Sequence, residues 1–192
     1  MNHTLVATGS VGDVATKQNL SLAHAFVNVK IVVLCDRSGS MVECDAAGGK
    51  ARFEVEDELV ARLQKAHPGQ LLLASFNDAG RVHTNGILPS PSGGTLLLAG
   101  LKMIQDYLVA DVRAVLISDG EPYDDEKEIL DYVRANLVHR LDCMFAGPEG
   151  SAGAKLMQRI AAAARGVAES DVLDKRLPQL AARIELLLGA RA

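Results

Sequence analysis

Lys30-Ile31-Val32-Val33-Leu34-Cys35-Asp36-Arg37-Ser38-Gly39-Ser40-Met41 is an apolar run that stops at an acid followed by alternating small hydroxyls. Branched aliphatics without polar alternation predict a strand covered on both faces, as in a parallel sheet flanked by helices. At its carboxyl end Asp36, Ser38 and Ser40 offer a carboxylate and two hydroxyls, and Gly39 lets the backbone curl so that these oxygens converge. All three are hard donors, suited to Mg²⁺, Mn²⁺ or Ca²⁺ rather than to zinc or copper.

Two further segments end in the same chemistry. Pro91-Ser92-Gly93-Gly94-Thr95 brings a hydroxyl to the mouth of a predicted helix, and Val115-Leu116-Ile117-Ser118-Asp119-Gly120-Glu121-Pro122 is a second strand ending in an acid. Taken singly, Asp36 and Asp119 read equally well as helix-capping acids, and Ser38, Ser40 and Thr95 as ordinary caps. Taken together, in this order and spacing, Asp36-x-Ser38-x-Ser40, Thr95 and Asp119 resemble the von Willebrand factor type A (VWA) family and its metal-ion-dependent adhesion site. The resemblance runs from about Val29 to about Leu188.

That resemblance implies a Rossmann-like, doubly wound α/β fold. Its sheet would be mostly parallel and six-stranded, in the order 3-2-1-4-5-6, with helices on both faces and one antiparallel edge strand. It also implies that Asp36, Ser38, Ser40, Thr95 and Asp119 hold a divalent cation, Mg²⁺ or else Mn²⁺ or Ca²⁺. The two serines would bind directly and the others directly or through water. A partner's Asp or Glu would fill the position left open.

The rest of the chain agrees in outline. Strands are predicted over Gln70–Phe76, Arg81–Ile87, Val112–Ser118, Arg140–Ala146 and Gly166–Ala168, the first two joined by the hairpin-like turn Asn77-Asp78-Ala79-Gly80. Helices are predicted over Lys50–Ala66, where Phe53, Leu59, Val60 and Leu63 recur near helical spacing, and over Thr95–Leu108. Three more are expected from the acidic Asp124-Asp125-Glu126 to Leu137, over Ala152–Ala164, and over Leu177–Leu188. Residues 1–28 read as an N-terminal arm whose Leu20, Leu22, Phe26 and Val27 would pack it on the domain, and 29–192 as one VWA domain. Cys44-Asp45-Ala46-Ala47-Gly48-Gly49 reads as an insertion beside the site.

Composition narrows the function classes. A chain of 192 residues, 48% hydrophobic, has material for one substantial core. Lys and Arg total 20 against 24 Asp and Glu, a net charge of −4 with no basic cluster, which argues against nucleic acid as a partner. No apolar run approaches the ~20 residues that span a bilayer. Three cysteines leave at least one unpaired, and no charged-then-apolar leader opens the sequence, so a cytoplasmic protein is expected. His24, His67, His83 and His139 have no metal-ligand spacing, and no nucleophile is paired with an identifiable base.

The expected function is therefore non-enzymatic: a cation-dependent protein-binding adaptor. Resemblance to small intracellular members of the family implies service in an ATPase or multiprotein assembly. One alternative is a Mg²⁺-dependent phosphoryl-transfer or hydrolytic enzyme with Asp36 as nucleophile. Against it, Ser38 stands where such enzymes need a second acid. The other alternative is a structural subunit of a larger assembly.

Overall fold

Ile31–Asp36 (β1) is buried along its whole length because it is paired on both sides and covered on both faces. The computed structural model describes residues 5–45, 49–148, 150–165, 168–170 and 186. Parallel to β1 run Leu71–Phe76 (β2) and Arg113–Ser118 (β4). Gly80–His83 (β3) turns back antiparallel on β2, and Leu141–Phe145 (β5) lies parallel to β4. A three-residue strand, Ala168–Ser170 (β6), extends the edge, giving the order β3-β2-β1-β4-β5-β6.

Side-chain alternation divides the core in two. Val32, Leu34, Leu72, Ala74 and Leu116 face Leu97–Gln105 (α4), Glu126–Asn136 (α5) and Ala152–Ala163 (α6). Ile31, Val33, Cys35, Leu71, Leu73, Val115 and Ile117 face Arg52–Ala66 (α3) through Val55, Leu59, Val60 and Leu63. Each fully buried aliphatic contributes about 1.5–3 kcal/mol, which is why both faces of these strands must be apolar.

The N-terminal segment is not an irregular arm. It folds into Val11–Lys17 (α1), capped by Ser10, and Leu22–Phe26 (α2), capped by Ser21. Val11, Val14, Ala15 and Ala25 are the residues that bury, while Leu20, Leu22 and Val27 stay exposed and Phe26 packs at the margin. Gly9, at φ +83°, lies so close to α3 that a Cβ would stand 2.0 Å from the Gln64 carbonyl oxygen.

Three other expectations shift. β3 ends at His83, because residues 83–86 turn, with the Gly86 N–H on the His83 carbonyl at 3.0 Å. Helix α4 begins at Leu97 rather than Thr95, its Leu98 N–H capped by Asp124 Oδ2 at 3.0 Å from another loop. Helix α3 begins at Arg52 rather than Lys50, with Glu54 accepting from the Ala51 N–H. The predicted closing helix, Leu177–Leu188, lies outside the described residues except for Leu186.

Candidate functional site

Register brings the two acid-bearing strand ends together. Cys35 pairs with Ile117, so the next residues, Asp36 and Ser118, are neighbours, and Asp119 follows at once. The segment carrying Thr95 is tied to the same edge by backbone bonds: Ser92 N–H to Arg37 O at 2.8 Å and Gly39 N–H to Gly93 O at 3.1 Å. Gly94 N–H donates to Asp78 Oδ1 at 2.9 Å, and Tyr123 N–H to Thr95 O at 2.9 Å. All five predicted residues thus lie at or just beyond the carboxyl edge of the sheet, where open α/β folds bind ligands. Asp36, Ser38, Thr95 and Asp119 are buried, and Ser40 is half-buried.

Asp36 carries its carboxylate on neutral donors. Oδ1 accepts from Ser38 N–H at 2.8 Å and Oδ2 from the Ser118 hydroxyl at 2.6 Å. Burial pushes this carboxyl up to about 6, against the hydrogen bonds from Ser118 and Ser38; the Asp119 charge pushes the same way as burial. Ser38 Oγ and Ser40 Oγ stand 3.1 Å apart, within hydrogen-bond distance of each other.

Asp119 differs, because it already has a cation. Arg52 Nη1 donates to Asp119 Oδ2 at 3.1 Å and to the Ser40 carbonyl at 3.4 Å. The remaining donors of this guanidinium go to Asp45, at 2.8 and 2.5 Å, and to Glu43 at 2.9 Å. Those hydrogen bonds hold the Asp45 carboxyl below the ordinary carboxylate range. Glu43–Asp45, at the start of the supposed insertion, thus forms a strap that ties Arg52 of α3 to the site. Neither Arg52 nor Ser118 was a sequence candidate. The signal for Arg52 was an Arg in the buried stripe of α3, three residues before Val55 and seven before Leu59.

A second buried cation belongs to the loop itself. Arg37 is buried, paired with Glu56 at 3.4 Å and hydrogen-bonded to Asp57. Burial pushes Glu56 up to about 8, with the Arg37 charge pulling against it. Nearby, Ser75 Oγ lies 2.7 Å from His83 Nε2, so a Ser–His pair that was not expected does exist. Ser75 is 3% exposed inside β2, an interior strand whose N–H groups serve the ladder, and that placement fits a cross-strand brace rather than a nucleophile.

The donor chemistry fits a hard cation: two carboxylates, one of them buried on neutral donors, and three hydroxyls. Among the described residues, no three His, Cys, Asp or Glu side chains gather as a metal site, so a cation here would rest on hydroxyls as much as on acids.

No protein-family model and no curated protein matches the chain. Solved structures do. An aerotolerance-related membrane protein from Bacteroides fragilis is 15% identical, aligned over 84% of this chain and 99% of that one, with a TM-score of 0.61. The SpRpn10 VWA domain is 17% identical over 78% and 93%, with a TM-score of 0.58. The manganese-loaded TRAP protein of Plasmodium vivax is 15% identical over 85% and 74%, with a TM-score of 0.57. The chain has the von Willebrand factor type A fold.

Proposed function

We propose that this chain is a divalent-cation-dependent protein-binding module. The observation that carries the reading is the meeting of Asp36, Ser38, Ser40, Thr95 and Asp119 at one sheet edge, with Asp36 buried on neutral donors alone. The P. vivax neighbour of the same fold was solved loaded with manganese, which supports the choice of ion class.

When bound, a divalent cation would supply a coordination position that a partner's carboxylate oxygen can take. Ser38 and Ser40 would offer it their hydroxyl oxygens, Thr95 a third, and the two acids their charge. Ser38 N–H and the Ser118 hydroxyl fix the Asp36 carboxylate before any ligand arrives. The recognised group is an Asp or Glu of a protein partner, in an ATPase or other multiprotein assembly. Coordination without turnover is the reading, because Asp36 is fully buried and both its oxygens are engaged. A cytoplasmic setting agrees with Cys35, Cys44 and Cys143 all being free thiols. No helix among the described residues is long and apolar enough to cross a membrane.

The test is thermal melting with Mn²⁺ or Mg²⁺. A cation that binds only the folded state adds about 2.7 kcal/mol at a hundredfold excess over Kd. Asp36→Ala and Asp119→Ala should each abolish the shift. An undiminished shift in both would place the cation elsewhere. With a partner in hand, EDTA should eliminate binding, as should substitution of the partner's acid; a partner bound through Arg or Lys would instead bind better without metal.

A further inference from the structure

We propose that Arg52 is a built-in competitor of the divalent cation, and that the strap Glu43–Asp45 moves when the cation binds. This rests on the metal-binding reading above and adds a regulator of the same site.

The geometry singles out this arginine. It is the first residue of α3, where the exposed N–H groups of a helix make a cation unfavourable. It is nevertheless 6% exposed and points into the site. Four acceptors hold it there: Asp119, the Ser40 carbonyl, Asp45 and Glu43. Two of these belong to the candidate metal set, and two to the strap. Glu43 and Asp45 are exposed acids that grip the guanidinium from outside.

A divalent ion on Asp119 would face a guanidinium donating to the same carboxylate, and two cations cannot share it at close range without strong repulsion. Arg52 must give up Asp119 as the ion arrives. Its bidentate contact with Asp45 lets it swing outward without leaving the strap. Cation binding and strap position are therefore linked, and by reciprocity whatever pulls Arg52 outward tightens the cation. A partner whose acid engages Arg52 while coordinating the ion would do so.

The experiment uses the full chain, stripped with chelator, and calorimetric titration with MnCl₂. Arg52→Gln should bind Mn²⁺ about tenfold more tightly than wild type, since one unit of opposing charge is removed a few ångströms away. Arg52→Lys, which keeps the charge, should stay near wild type. The strap is read through Cys44, the exposed thiol between Glu43 and Asp45; Cys35 and Cys143 are buried. Mn²⁺ should change the rate at which Cys44 reacts with a disulfide reagent by about threefold in wild type and leave it unchanged in Arg52→Gln. Tighter binding by Arg52→Gln supports the proposal even if wild type binds too weakly to measure. If wild type binds and Arg52→Gln binds no tighter, the competitor role is overturned while the metal reading stands. Binding by neither protein overturns both.

Discussion

The Ser118 hydroxyl donates to Asp36 Oδ2 at 2.6 Å and accepts from the Gly120 N–H at 3.0 Å, so one small side chain aligns both strand ends. Its position follows from register: the end of β4 lies beside the end of β1.

Ser118→Ala should therefore weaken Mn²⁺ binding without removing any proposed ligand. Loss of a hydrogen bond to a buried carboxylate costs about 1.5–3 kcal/mol, and roughly a tenfold rise in Kd is expected. Calorimetric titration measures it, and an unchanged Kd would confine Ser118 to the fold.

Gly153→Ala should damage the site from behind. A Cβ there would lie 2.0 Å from the Asp119 carbonyl oxygen, and one on Gly120, at φ +71°, 2.4 Å from the Gly153 carbonyl oxygen. Helix α6 backs the Asp119 loop too closely for either side chain. Overpacking of this kind costs about 1–3 kcal/mol. Melting with and without Mn²⁺ should show a lower apo midpoint and a smaller metal increment.

Glu56 should impose a pH slope. Its folded value of about 8 lies above the ordinary 4.5, so the folded state retains a proton that the unfolded chain has lost. Stability is then highest below pH 4.5 and falls as pH rises through 8. Asp36 slopes the same way, but its window, from 3.8 to about 6, ends lower. Between pH 6 and 8, chemical denaturation should show wild type losing about 2 kcal/mol more than Glu56→Gln. Parallel profiles would mean Glu56 is ionised throughout, paired with Arg37.

The N-terminal helices should behave as core. Gly9→Ala should cost about 1–3 kcal/mol, because the residue has both a left-handed φ and no room for a Cβ. Val27→Ala, at a position 80% exposed, should stay within about 0.5 kcal/mol. Denaturant midpoints separate the two, and equal effects would return the segment to a loose arm.

What was legible follows physical range. The runs ending at Asp36 and Asp119 announce themselves locally, since a strand buried on both faces must be apolar throughout. Ser38, Ser40 and Thr95 were readable only in their company. Arg52 and Ser118 were not, because their roles depend on partners 67 and 82 residues away. Helices α1 and α2, of seven and five residues, are too short to show a period; docking rather than pattern makes Val11 and Ala25 apolar positions. Asp124 read as part of the acidic start of the helix that follows it, yet it caps α4 across a gap of 26 residues.

The strand order carries a consequence for biosynthesis. β1 is made before both of its neighbours, β2 and β4, which come later in the chain. Until residue 118 has left the ribosome, Ile31–Cys35 has no permanent neighbour on its β4 side. A run of Ile, Val, Val, Leu and Cys with open ladder groups is a template for pairing between nascent chains. The segment that delivers Asp36 to the site thus stays open on one side while residues 37–118 are made, and slower elongation there should lower the soluble yield.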